Sequence, residues 1–405
     1  MNFTFIDLFA GIGGFALPLV KLGGKCLAYA EIDKEAIFTY KQNFPQHKEN
    51  LGDISSLVNL PVADLVVGGV PCQPWSIAGK NEGFKDPRGQ LWFDVILLIK
   101  QSQPKSFLLE NVNGLTFKNH QKSFDLIVGS LRRAGYRLKW QILDSYDFGL
   151  PQNRKRLFLV GIREDIYLEE YLFPVPNSSH PMLADFFPGY FQGEPVETTF
   201  NNFFVFTDIR GGETAIHSWD LKNTFEVEKK ACLALLKERR NLRKGKDGHR
   251  VPLEDLKSRI EDLRLRDLSR LISKGILTQS TDGRYDFCNS RLNLGIEGTY
   301  RIFLPSARSL PTVTTKGGLD FVATQYLAGT TPANCKVNFL EQIYLPRKFV
   351  PFGSSFALAM QGFPHSFQVH PKESVCLKQL GNAVSPPVIE AITTNLLKTI
   401  CQQIT

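Results

Sequence analysis

An α/β fold is what the sequence predicts, with a mostly parallel, doubly wound, Rossmann-like sheet followed by a smaller second domain. Three observations predict it. Short apolar runs alternate with longer amphipathic ones through residues 3–160. A glycine-rich stretch, Asp7-Leu-Phe-Ala-Gly-Ile-Gly-Gly14, follows the first apolar run. Beyond residue 173 the pattern changes: Pro174, Pro176, Pro181 and Pro188 break the alternation, and an aromatic-rich segment leads to a charged helical stretch over 224–274.

Strands are expected at 3–9, 25–31, 65–69, 106–110, 137–143 and 156–162, each a short apolar run bounded by polar or glycine-bearing turns. Glycine and threonine become frequent from 299 to 329, and the last amphipathic stretch, 386–401, reads as a helix returning to the first domain. The 405 residues exceed one ordinary core, and 43% hydrophobic content is enough to fill two. Seven cysteines, an odd number without a Cys-x-x-Cys pair, give no disulfide framework and no zinc-ligand set, which suits a reducing, cytoplasmic setting. The first residues lack a basic region followed by a long apolar one, and no later run reaches membrane-spanning length, so neither export nor a membrane partner is expected.

The net charge of +8 suits a polyanionic partner. Between Glu226 and Lys274 fifteen Lys/Arg face nine Asp/Glu, with a cluster over 237–243 continued by Lys244, Lys246 and Arg250. A solvated helical face would show the same run.

Three groups of residues carry chemistry. The Gly-x-Gly-Gly loop lets backbone approach a ligand closely, although a tight strand-to-helix turn needs the same glycines. Glu31 ends the second strand, where a carboxylate can accept hydrogen bonds from ribose hydroxyls, and Gly52-Asp53-Ile54 adds a second acid placed for an adenine amino group. Pro71-Cys72-Gln73 puts a lone cysteine at a strand exit, where the alternative is a packed, inert thiol. Glu110-Asn111 ends the fourth strand and could equally cap a helix, and Arg154 and Arg156 are two apart, on one face by strand alternation or exposed on an edge.

In order and spacing, Asp7 to Gly14, Pro71-Cys72-Gln73, Glu110-Asn111-Val112, Gln152-Asn-Arg154-Lys-Arg156 and Gln379-Leu-Gly381-Asn382 resemble the DNA cytosine-5 methyltransferases. The resemblance is dense over 3–165 and looser over 301–395. It implies methyl transfer from S-adenosyl-L-methionine, without a metal, to carbon 5 of a cytosine flipped out of a short duplex sequence. Cys72 would be the nucleophile, Glu110 the group at ring nitrogen 3, Arg156 a contact to the cytosine and Arg154 its support. The donor would lie among Phe9, Gly11, Ile12, Gly13, Gly14, Glu31, Ile32, Asp53, Ile54 and Leu91, with Asn382 and Ala383 approaching from the C-terminal segment. The glycine- and charge-rich segment 76–89 would close over the substrate.

The implied organisation is a catalytic and cofactor-binding domain over 1–178, a target-recognition domain over 179–345, a hinge over 346–372 and a returning C-terminal segment over 373–405. Residues 180–300 carry no family motif, as expected of a region that reads DNA. Arg301-Ile-Phe and 307–312 with Gly317-Gly318 resemble its supporting motif, and Phe352-Gly-Ser-Ser355 intervenes where the family usually has an acid-containing helix. The partner would be double-stranded DNA, bound by a monomer, in a bacterial or phage restriction-modification system whose endonuclease is paired by function without a stable complex. The rival readings are a transfer-RNA cytosine-5 methyltransferase and a non-catalytic cytosine-binding relative. A dinucleotide oxidoreductase is disfavoured by the glycine spacing.

Overall fold

The computed structural model describes residues 2–75, 83–166, 170–177, 180–195, 203–209, 211–241, 250–288, 300–313, 320–327 and 335–401. Residues 76–82 of the expected closing segment, 242–249 of the basic cluster, and the Gly317-Gly318 pair lie outside them. The chain divides into two units: Met1–Pro181 with Arg308–Gly317 and Gly353–Thr405, and Met182–Ala307 with Gly318–Phe352.

The first unit is built on strands β1 (Phe3–Leu8), β2 (Gly24–Ala30), β3 (Leu65–Gly69), β4 (Ser106–Val112), β5 (Tyr136–Asp144), a two-residue β6 (Gln152–Asn153) and β7 (Lys155–Arg163), with helices α1 (Ala16–Lys21), α2 (Lys34–Asn43), α3 (Pro87–Ser102) and α4 (Gln121–Arg133). Its six-stranded sheet has the order β2-β1-β3-β4-β7-β5; β7 alone runs against its neighbours. Every residue of β4 is buried, as for a central strand covered on both faces, where a continuous apolar run replaces alternation. Helix starts follow from local chemistry. Asp33 caps α2 by accepting from the Glu35 and Ala36 amides, and Asp86 caps α3 ahead of Pro87, whose missing N–H costs nothing in the first turn.

The second unit holds β8 (Phe203–Phe206), β9 (Ala215–Ile216), α5 (Ser218–Leu221), α6 (Glu226–Asn241), α7 (Leu253–Lys257), α8 (Leu265–Ser273), β10 (Leu277–Gln279), β11 (Tyr285–Phe287) and β12 (Tyr300–Phe303). The chain then contributes β13 (Leu310–Pro311) to the first unit before supplying β14 (Phe321–Ala323), α9 (Cys335–Phe339) and β15 (Phe349–Pro351) to the second. A five-stranded sheet, β15-β14-β12-β8-β9, carries an aromatic core in which Phe204 stacks on Phe339 with centroids 4.0 Å apart. A separate core joins α6, α7, α8 and the β10–β11 hairpin.

The chain finishes in the first unit with α10 (Ser354–Gln361), α11 (Glu373–Asn382) and α12 (Pro386–Cys401). These boundaries differ from the expected ones in two places. Residues 308–317 do not belong with the second unit, because β13 pairs in parallel with β6 and Thr312 Oγ1 donates to the Asn153 carbonyl at 2.6 Å. The expected hinge 346–372 is shared out: β15 pairs with β14, whereas α10 starts at Ser354, whose amide and hydroxyl both donate at 2.7 Å to the Glu373 carboxylate. Glu373, from α11, therefore serves the start of α10 with an acid that α10 lacks. Among the described residues no helix is long and apolar enough to cross a membrane.

Candidate active site

The chain leaves β1 for β2 on one side and returns to β3 on the other, so the sheet switches direction between β1 and β3. In open α/β sheets the ligand crevice opens at such a point, beyond the carboxyl ends of the strands. The loops that leave there are the glycine loop after β1 and residues 70–75 after β3.

Phe9 turns the chain out of β1 with φ +54°, a left-handed conformation rare for a bulky residue, and this ends the strand one residue earlier than the sequence suggests. Gly11 (φ +56°) and Gly13 (φ +93°) continue the turn; a Cβ on Gly13 would lie 2.3 Å from the Phe44 ring. Gly14 sits against Val384, where a Cβ would meet Cγ2 at 2.9 Å. The loop is tied to the end of β2, for the Gly11 amide donates to Glu31 Oε2 at 2.8 Å. Glu31 Oε1 accepts from the Ile32 and Asp33 amides, both at 2.8 Å. A carboxylate offers about four acceptor directions, so one remains for a hydroxyl. Asp53 caps the short turn Ile54–Ser56 through Oδ1 alone, accepting from the Ser55 amide and hydroxyl at 3.0 and 2.9 Å. Ile32 is 68% exposed, Phe9 and Leu91 are half-buried against the core, and Ile12 and Ile54 are buried. Asn382 is exposed at the end of α11, and Ala383 follows it.

Cys72 is half-buried just beyond β3. Glu110, 7% exposed, lies on β4, and the antiparallel register sets Arg156 of β7 opposite Val112, diagonal to Glu110 on the same face. Arg156 Nε meets Glu110 Oε1 at 2.9 Å. Burial pushes the Glu110 carboxyl above its ordinary value, against the opposing pull of Arg156 and then Arg154. Burial also pushes the Cys72 thiol up; the Glu110 charge adds to this, and the two arginines oppose it. Each group thus perturbs the next, and the four expected catalytic residues share one buried electrostatic neighbourhood.

Arg154 is held by main-chain groups. It lies between β6 and β7, flanking the strand start as the sequence suggests, but it is 2% exposed and not on an open edge. Its amide donates to Asp144 Oδ1 at 2.7 Å, and Nη2 donates to the carbonyls of Gly381 and Ala383 at 3.2 and 2.6 Å. Burial, then the Arg156 charge, lowers it to about 9, which leaves it cationic at neutral pH. Its Nε and Nη1 find no acceptor among the described residues.

Several contributors carry no signal strong enough to have been singled out. Gln152 Nε2 donates to the Met360 carbonyl at 2.9 Å while its Oε1 accepts from the Val313 amide at 2.8 Å, joining three distant parts of the first unit. Ser145 and Ser385 share a buried hydroxyl contact of 2.9 Å. Trp75, fully buried, packs edge-on against Phe84 and His120, and its amide donates to the Cys72 carbonyl at 3.0 Å. Only the position of Gln152 within a quoted motif hinted at any of these.

Comparison with known proteins identifies the family. Type II methyltransferase M.HgiBI of Herpetosiphon aurantiacus is 44% identical over 419 residues, covering 96% of both chains. Type II methylase M.HgiEI of the same organism is 43% identical, covering 98% of this chain and 97% of its own. The crystal structure of a Spodoptera frugiperda DNMT2 mutant shares the fold, with a TM-score of 0.57 at 16% identity over 97% of this chain and 99% of that one. A profile of the C-5 cytosine-specific DNA methylases matches residues 3–398, and the chain belongs to that family.

Proposed function

We propose that this enzyme methylates carbon 5 of one cytosine in a short duplex sequence, with Cys72 as nucleophile and Glu110, Arg154 and Arg156 as its partners. The carrying observation is the buried Cys72–Glu110–Arg156 neighbourhood at the strand end next to the glycine loop. When bound, S-adenosyl-L-methionine supplies an electrophilic methyl group. The pocket residues fit an adenosine: Glu31 keeps one acceptor direction for ribose, Asp53 keeps an oxygen outside its cap, and Ile32 presents apolar surface to solvent. Ile12 and Ile54, buried themselves, would contribute backbone, and Gly11, Gly13 and Gly14 would allow close approach; Phe9 and Leu91 would flank the base, with Asn382 and Ala383 at the methionine end.

Carbon 5 of cytosine is a poor nucleophile until carbon 6 is saturated. Cys72 Sγ, as thiolate, would form a bond to carbon 6, and the displaced electron pair would move towards ring nitrogen 3, where Glu110 holds a proton. The two protonation states favour one another: a protonated Glu110 loses the charge that pushes the Cys72 thiol up. Arg156 would hold Glu110 and reach the base, and Arg154 would tie the site to the C-terminal carbonyls. Carbon 5 would then take the methyl group; a base would accept the carbon 5 proton, the freed electron pair would restore the ring double bond and expel Cys72 as thiolate, and the proton on ring nitrogen 3 would return to Glu110. The base must first leave the stack, a cost of about a few kcal/mol met by pocket and backbone contacts.

The Type II names of the relatives support a modification role in a restriction-modification system; the enzyme would act as a monomer, paired by function with an endonuclease and not in a stable complex with it. Labelled-methyl transfer to mixed-sequence duplex DNA, with sites located by bisulfite sequencing, tests the reading. Modification at one recurring sequence, lost in Cys72→Ser while DNA binding survives, is expected. Incorporation into transfer RNA instead of duplex DNA, or full activity in Cys72→Ser, would refute it.

A further inference from the structure

The separate core of the second unit belongs to a recognisable arrangement. Helix α6 is followed by Val251, which exchanges two backbone hydrogen bonds of 2.8 Å with Tyr285 of β11. Then come α7, a turn over 258–264, α8, and the antiparallel β10–β11 hairpin. Leu235, Leu256, Leu268, Leu271, Ile276 and Phe287 close the core between these elements. Helix, strand contact, helix, a seven-residue turn, helix and hairpin follow in the order of a helix-turn-helix carrying a β-hairpin wing, a device in which the second helix of the pair enters the DNA major groove.

The two faces of α8 differ sharply in charge. Asp267, Leu268 and Leu271 point inward at 3% exposure or less. Asp267 caps the helix by accepting from the Arg264 amide at 2.9 Å and pairs with Arg270. Arg270 also meets the fully buried Glu228 at 2.7 Å, and Lys274 meets the same carboxylate at 2.6 Å. The carboxylate of α8 is thereby turned inward and neutralised. Outward, Arg266, Ser269 and Ser273 follow one another at three- and four-residue spacing along a single stripe, with Leu265 at its start. The Arg266 side chain is 65% exposed and stands 4.0 Å from Asp267. Ser269 and Ser273 donate their protons to the Leu265 and Arg270 carbonyls, so each hydroxyl presents an acceptor outward. The exposed acids nearby, Glu254, Asp255, Glu261 and Asp262, lie on α7 and the turn rather than on α8.

The wing is equally well defined. Gly283, at φ +80°, allows the turn in which its amide donates to Ser280 and the Ser280 amide donates to Arg284, both at 2.9 Å. Arg284 is 53% exposed and shares Asp282 at 3.2 Å.

We infer that α8 enters the major groove of the target duplex, with Arg266, Ser269 and Ser273 at base edges and Arg284 of the wing at the phosphate backbone. A stripe free of carboxylates matches the charge of DNA, and an α-helix, about 10–12 Å across with its side chains, fits a groove about 12 Å wide. Arginine donors suit guanine O6 and N7, and hydroxyl acceptors suit the exocyclic amino groups of cytosine or adenine. The inference rests on the methyltransferase reading above and assigns sequence discrimination to residues outside the family's catalytic motifs.

The full-length enzyme tests it. Wild type, Arg266→Ala, Ser269→Ala and Arg284→Ala are assayed on the mapped target and on every single-base variant of it. For Arg266→Ala and Ser269→Ala the expected results are a loss of about 10- to 100-fold in kcat/KM on the target and weakened discrimination at one base position, with an unchanged KM for S-adenosyl-L-methionine and an unchanged melting midpoint. Arg284→Ala should lose affinity evenly across sequences, with a salt slope lower by about 1. Wild-type discrimination at every position in both Arg266→Ala and Ser269→Ala would overturn the inference while leaving the methyltransferase reading intact. A wild type that methylates no duplex would remove that reading, and this inference with it.

Discussion

Gly114→Ala is expected to injure the chemistry from a position that touches no substrate. Gly114 lies in the turn Asn113–Thr116 after β4, where a Cβ would stand 2.3 Å from the Trp75 carbonyl oxygen. Such contacts are not found below about 3.0 Å, so the backbone around Trp75 must retreat by at least about 0.7 Å. It has little room to absorb this locally: Trp75 is fully buried, with Phe84 and His120 edge-on at 5.1 and 5.2 Å. Close-packed interiors transmit such strain, and the Trp75 amide is bonded to the Cys72 carbonyl. A displacement of about 1 Å at a reacting group costs roughly 100-fold in rate, so kcat should fall about 10- to 100-fold. Overpacking should also lower stability by about 1–3 kcal/mol. Steady-state labelled-methyl transfer measures kcat, calorimetry measures donor affinity, and a thermal melt confirms folding. Donor affinity should stay within about twofold, because the glycine loop and Glu31 are built from other strands. A folded variant with wild-type kcat would refute the claim that this packing positions Cys72.

Glu110→Gln should lower kcat by about 100- to 10,000-fold, the usual worth of a positioned acid, while donor affinity changes little; equal losses in both would make Glu110 a structural residue. Asp7→Asn should stabilise the protein at neutral pH. Asp7 is fully buried, neither oxygen makes a well-formed hydrogen bond, and burial, reinforced by Glu31, holds its carboxyl well above the ordinary range, with only partial relief from the Ala16 amide. A carboxyl raised on folding contributes stability below its unfolded value of about 3.9 and loses it as pH climbs through the folded value. The advantage of the variant should therefore grow with pH and vanish under acid conditions. Urea unfolding across pH measures it, and a pH-independent difference would contradict the assignment.

The strands of the first unit were legible as short apolar runs: β3 is Leu65–Gly69, and β4 carries its buried run two residues past Glu110, through Asn111 to Val112. The ends were less legible, since the left-handed Phe9 that stops β1 is apolar and looks like strand. Cys72, Glu110 and Arg156 were singled out by the ordered motifs of the family resemblance, and the structure sets Glu110 and Arg156 2.9 Å apart. The contacts of Arg154 were not legible, because its acceptors, the Gly381 and Ala383 carbonyls, lie 227 and 229 residues away. The return of 308–317 to the first unit was invisible for the same reason: a two-residue pairing with β6 leaves no periodicity to read. In the second unit the charged run over 226–274 resembled a uniformly solvated face. Packing sorts it, turning Glu228 and Asp267 inward against Arg270 and Lys274 while leaving Arg266 outside.

The most direct test of the central claim, that Cys72 adds to the cytosine ring, is covalent capture on a duplex carrying 5-fluorocytosine at the mapped target. Fluorine cannot leave as the proton does, so the sulfur–carbon bond should persist after methyl transfer. With S-adenosyl-L-methionine present, the account predicts a denaturation-resistant complex whose mass spectrum places the nucleotide on the peptide containing Cys72, and no such complex for Cys72→Ser. An adduct on another residue, or none from an enzyme that methylates the ordinary duplex, would contradict it.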